Sequence, residues 1–139
     1  MAASYELTVT EKGTYLHVVV TGPNNEENVL GYLAEIRREC ITRDCFQVLI
    51  EERLEGPRLD TMEVFRIASR GGSRAQRFTA IAYVDVNAEG NLMKFAETVA
   101  INRGVPVAVF SSVDKAEKWL LAGQSEGQRD VTETKRPPD

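Results

Sequence analysis

The sequence predicts an α/β domain: a mixed, mainly parallel five-stranded sheet with an N-terminal hairpin and about four helices. Three observations predict it. Two apolar, strand-like segments open the chain and are joined by a short glycine-containing connection. Three later β-branched runs alternate with segments whose apolar residues recur every three or four positions. Crossovers of helical length then force parallel pairing between successive strands.

Tyr5 to Thr10 alternates Tyr, Leu and Val with Glu and Thr, the period of a half-buried strand. Glu11-Lys12-Gly13 is a turn, and Tyr15 to Val20 is the returning strand of the hairpin. Thr21-Gly22-Pro23-Asn24-Asn25 breaks it. Asn24 can cap a helix, with Glu27 three residues on, and Val29, Leu33, Ile36 and Cys40 form one stripe of a helix from Asn25 to about Ile41. Phe46 to Ile50 is a short, apolar third strand covered on both faces, and Glu51 to Pro57 reads as a charged loop. Asp60 and Glu63 form a capping box for a second helix striped by Val64, Phe65 and Ala68 and closed by Gly71-Gly72. Phe78 to Val84 is the fourth strand. Asn87 caps a third helix, in which Leu92, Phe95, Ala96, Val99 and Ala100 share a face and Gly104 supplies the left-handed end. Val107 to Phe110 is the fifth strand. Ser111 or Ser112 caps a last helix in which Ala116, Trp119 and Leu120 share one face. The domain therefore spans residues 1–122. Residues 123–139 contain Val131 as their only aliphatic side chain and are expected to be a disordered tail.

Composition narrows the function classes. At 139 residues the chain is one domain, long enough to bury a core without disulfides or metals. A net charge of −4 argues against nucleic acid or an anionic membrane as partner. No apolar run approaches a membrane span, and Met1 to Glu6 does not resemble a secretory leader, so a cytoplasmic location is expected. Cys40 and Cys45 are too few for a disulfide framework and are expected to be reduced. His17 is the only histidine, so no metal site is expected. Nucleophile elbow, P-loop and dinucleotide fingerprint are all missing, and no cofactor is expected.

The C-terminal part carries a more specific pattern. Phe95 to Gly104 contains Phe-x-x-x-x-Ala-x-Asn-Arg-Gly, followed by the Val107–Phe110 strand and by Ala116 with Trp119-Leu120. Lys12-Gly13, Tyr15-Leu16 and Val48-Leu49-Ile50 fit the same pattern. In these features the chain resembles the STAS superfamily, and within it the SpoIIAA-like single-domain bacterial proteins. The resemblance covers about residues 4–121. It implies a regulatory, protein-interaction module like the anti-sigma-factor antagonists. In those proteins an Asp-Ser-Ser-Gly stretch opens the second helix, and a kinase-like partner phosphorylates one serine. The matching stretch here is Leu59-Asp60-Thr61-Met62, which makes Thr61 the phosphoacceptor candidate. The second serine and the glycine are missing.

Three groups of residues are candidate sites. The Asp60–Thr61 corner is the first, because a phosphate on Thr61 would meet free N–H groups at a helix start. The second comes from topology: ligands of open α/β sheets bind beyond the carboxyl ends of parallel strands. Glu51 and Glu52, Asp85 and Asn87, and Ser111 and Ser112 follow the three parallel strands there. The third is Arg66, Arg70, Arg74 and Arg77, a candidate patch for an anion or an acidic partner, with Glu51, Glu52, Glu55 and Glu63 as alternative ion-pair partners.

The expected function is non-catalytic protein binding, with an unidentified protein partner and self-association through the first strand as an edge. Carriage of a small or lipid-like ligand is the alternative, because some SpoIIAA-like proteins resemble the lipid-binding CRAL-TRIO group in fold. An enzyme is the third reading. It is disfavoured because the carboxylates have no histidine or cysteine placed to activate them.

Overall fold

The computed structural model describes residues 4–56, 59–69, 78–85 and 91–122. Strand β1 (Glu6–Glu11) pairs antiparallel with β2 (Leu16–Pro23), placing Glu6 opposite Thr21 and Glu11 opposite Leu16. The turn closes through Lys12 N–H to the Tyr15 carbonyl at 2.9 Å. Helix α1 (Glu26–Arg43) leads to β3 (Gln47–Glu55), α2 (Thr61–Ser69) to β4 (Ala80–Val84), and α3 (Asn91–Asn102) to β5 (Val107–Phe110). Helix α4, residues 113–122, follows. The strands lie in the order β1-β2-β3-β4-β5, and every pairing after the first is parallel. This is the mixed α/β sheet that the resemblance implied.

A sheet built in simple succession, with crossovers of one hand, sends every crossover helix to the same face. The core divides accordingly. On the α1 face, Leu16, Val18, Val20, Val48 and Ile50 meet Val29, Tyr32, Ile36 and Cys40. On the opposite face, Leu49, Ala82 and Val84 meet Tyr15 and the α4 residues Ala116 and Leu120. The Tyr15 hydroxyl fastens α4 by donating to Glu117 at 2.7 Å.

Local chemistry sets the helix ends. Asn25, not Asn24, caps α1: its side chain accepts from Asn28 N–H at 2.8 Å. Asn24 is instead tied to the sheet, donating its N–H to the Glu55 carbonyl at 2.7 Å. The Asp60–Glu63 capping box forms in both directions, at 2.9 and 2.8 Å. Gly104 at φ +89 ends α3, with Val105 N–H reaching back to the Ala100 carbonyl at 3.0 Å. Asp44 takes the same left-handed role after α1 at φ 53.

Two expectations are corrected. Residues 51–55 are strand rather than loop. Strand β2 itself runs on to Pro23, and its parallel ladder holds β3 in register through Gly22 opposite Leu54 and Pro23 opposite Glu55. Phe95 is 38 % exposed rather than buried, and its ring stacks on Phe65 of α2 with centroids 6.4 Å apart. The tail from residue 123, Gly71-Gly72 and the proposed cap Asn87 lie outside the described residues. Among the described residues no helix is long and apolar enough to cross a membrane.

Candidate functional site

The extra length of β3 creates the site. Side chains alternate along a strand, so Val48, Ile50 and Glu52 point to one face and Leu49, Glu51 and Arg53 to the other. Glu52 therefore joins the helix-covered face, in line with two apolar residues. In β4, Ile81 and Tyr83 share that face, with Tyr83 in register with Ile50.

Between this face and the helices lies a cavity of about 310 Å³. Its walls are Val48, Ile50, Ile81, Val107 and Val109 from the sheet and Leu33 and Ile36 from α1. Val64 and Ile67 of α2, and Met93, Ala96 and Ala100 of α3, complete them. The small residues Ala68, Ala96 and Ala100 leave space where larger side chains would close it. Ala34 and Arg37 also line the cavity and are solvent-exposed, so it reaches the surface along α1.

One wall is polar. Tyr32, fully buried on α1, and Tyr83 both donate to Glu52 Oε2 at 2.8 Å. Their hydroxyls also contact each other. Asp85, 4 % exposed, completes the group beyond the end of β4, lining the same cavity as Glu52. Burial raises Glu52 from 4.5 to about 7. The tyrosine hydroxyls oppose that rise, while the charge and hydrogen bond of Asp85 add to it. Burial and the neighbouring Glu52 charge push the phenols of Tyr32 and Tyr83 well above their ordinary value. The group is rich in acceptors and holds a proton weakly near neutral pH. That suits it to bind a hydrogen-bond donor at the end of an apolar chamber.

The predicted site residues separate. Of the strand-end set, Glu52 and Asp85 come together. Glu51 lies on the opposite face, where Oε1 meets His17 Nε2 at 3.0 Å and Oε2 accepts from Arg53 Nε at 2.7 Å. Burial opposes ionisation of Glu51, but the Arg53 and His17 hydrogen bonds outweigh it and hold its carboxyl below the usual range. Ser111 is half-buried after β5, and Ser112 caps α4 by accepting from Lys115 N–H at 3.3 Å. Asp60 is committed to its capping box, and Thr61 is exposed beside it. Arg66 grips Glu26 of α1 with Nε and Nη2 at 3.0 and 2.8 Å. That ion pair draws on a glutamate outside the set expected from sequence proximity. Asn87, Arg70, Arg74 and Arg77 lie outside the described residues. Cys40 and Cys45 are free thiols.

Tyr32 and Tyr83 were missed by sequence reasoning. The available signal was the alternation Val48-x-Ile50-x-Glu52, which carries an acid onto an apolar face, together with a tyrosine between Val29 and Ile36 in the α1 stripe.

Among solved structures, the chain is similar to an uncharacterised protein from the DUF3478 family with a SpoIIAA-like fold from Shewanella loihica PV-4. The identity is 16 % and the TM-score 0.48, over 86 % of this chain and 98 % of that one. No protein-family model and no curated protein matches the chain.

Proposed function

We propose that this chain is a non-catalytic binding module that holds a small, largely apolar ligand between its helices and sheet. The observation that carries this reading is the cavity of about 310 Å³, apolar over most of its lining and polar at Glu52, Tyr83 and Asp85. Ligand sites characteristically combine an apolar enclosure with a few convergent polar groups, and this volume falls at the small end of their range of roughly 300–1,000 Å³. The ligand's apolar body replaces water along α2, α3 and the sheet, and its polar end fixes orientation. Binding of 8-anilinonaphthalene-1-sulfonate, a dye that fluoresces in apolar sites, tests this. Saturable binding by the native chain and its loss in Ala96→Phe, which fills the space from α3, are expected. Equal binding by a folded Ala96→Phe variant, or no saturable binding at all, overturns the reading.

A second reading, partner binding at the start of α2, is favoured by Met62, which is 60 % exposed next to Thr61. With Phe65 three residues on and Phe95, 38 % exposed, stacked on it, Met62 extends an apolar patch that suits a protein contact. A pull-down comparing native chain with Thr61→Glu tests it: the phosphate-mimicking charge is expected to release a captured partner, and unchanged capture counts against a switch at Thr61.

A further inference from the structure

Resting on the cavity reading, we propose that the cavity selects ligands with a protonated amine on an apolar body, the ammonium group seating against Glu52 and Asp85. The polar wall is short of protons. Tyr32 and Tyr83 both direct their hydroxyls at Glu52 Oε2, and the buried Asp85 carboxyl lines the same cavity beside them. Two phenol hydrogens thus face two carboxyl groups that carry four acceptor oxygens. The charge of Asp85 beside it disfavours a negative charge on Glu52, which adds to burial in keeping a proton there. An ammonium brings three donors and a compensating charge, and so replaces the Glu52 proton, which leaves to solvent. A ligand carboxylate would meet two acids at the same place and be repelled.

The remaining charged groups on the cavity lining, among the described residues, are Arg37 of α1 and Glu97 of α3. Arg37 is on the exposed side of α1, and Glu97 accepts the Val109 N–H at 2.8 Å. Neither is part of the Tyr32–Tyr83–Glu52 contact set. The rise of Glu52 to about 7 adds a pH signature: below that value a proton competes with the ammonium. Affinity should therefore climb about tenfold between about pH 6 and about pH 8.

The test is calorimetric titration of the full chain with n-decylamine, decan-1-ol and decanoate below their aggregation concentrations, alongside Glu52→Gln and Asp85→Asn. Decylamine should bind at least about tenfold more tightly than the other two, as expected for a charge-assisted hydrogen bond in a dry site. Both the preference and its pH dependence should disappear in Glu52→Gln, with Asp85→Asn as the second variant should the first not fold. Alcohol or carboxylate binding as tightly as the amine overturns the ammonium assignment and leaves the cavity reading standing. An amine preference that survives both substitutions overturns the placement at Glu52 and Asp85. Failure of all three probes overturns both this inference and the reading it rests on.

Discussion

Replacing Glu52 by glutamine should make the protein more stable, and only above mildly acidic pH. In the folded chain the Glu52 carboxyl holds its proton up to about 7, against a value of 4.5 for the free side chain. A group whose value is raised by folding contributes stability that is fully present below about 4.5. That stability is lost as pH climbs through about 7. Between those limits the loss integrates to roughly 3 kcal/mol, because ionising the mostly buried carboxylate costs more in the fold than in the unfolded chain. Glutamine cannot ionise. Its carbonyl can still accept from Tyr32 and Tyr83, and its amide can donate to Asp85, so most of the local bonding survives. The expected difference between variant and native chain is near zero below about pH 4, rising to between about 1 and 3 kcal/mol by about pH 8, with the lower figure allowing for imperfect geometry. Urea unfolding, followed by Trp119 fluorescence at a series of pH values, gives both curves. Subtracting them removes the contribution of all other titrating groups. A difference that is flat from about pH 5 to about pH 9, or that falls with pH, refutes the account of Glu52 as a carboxyl kept neutral by its surroundings.

Two further outcomes check the packing independently. Gly22 sits at φ +135, and a Cβ there would lie 2.9 Å from Tyr5 Cα and 3.0 Å from the Ser4 carbonyl; Gly22→Ala should cost at least about 2 kcal/mol, read as a lowered melting temperature by calorimetry. Burial pushes the Cys40 thiol up to about 12, whereas Cys45 is half-exposed, so a thiol reagent should label one of the two cysteines in the folded chain and both after denaturation. Labelling of both at equal rates under native conditions would contradict the packing of α1.

What could be read from the sequence was mostly local. Asp60 and Glu63 form a capping box because the two side chains need only each other's backbone, three residues away. Gly104 ends α3 because the left-handed turn costs glycine least. The hairpin and the αβ alternation follow from periodicity. What stayed hidden depends on the third dimension. Glu51-Glu52-Arg53 looks like a loop because charge usually marks solvent. Yet β2 supplies a ladder for those residues, and the pleat then sends Glu52 under the helices and Glu51 to His17. A cavity is an absence of side-chain volume, and no stripe of apolar residues reveals whether opposing stripes touch. Tyr32 reads as one more core residue in α1, since only the partner strands show that its hydroxyl meets Glu52 and Tyr83.

The two halves of the helix-covered face are built for different ends. Over β1 and β2, large side chains fill the space: Val18, Val20, Tyr32, Ile36 and Cys40 are no more than 2 % exposed, and Tyr5 meets the Tyr32 ring edge-on at 6.0 Å. Over β3, β4 and β5, alanines at positions 68, 96 and 100 face the sheet and a chamber remains. Stability from close packing therefore concentrates on the first half, and the second half can tolerate an unfilled volume. Glu52 stands on the boundary between them. A leucine there would pack against Ile50 and remove a buried charge that weakens the fold above neutral pH. An acid retained at such a place, ringed by two phenols and a second carboxyl, is a local rule broken inside an otherwise consistent core. Departures of that kind concentrate where a fold serves its function. The same carboxyl thus weakens the core above neutral pH and, in the proposed cavity reading, is the group that meets the ligand's polar end.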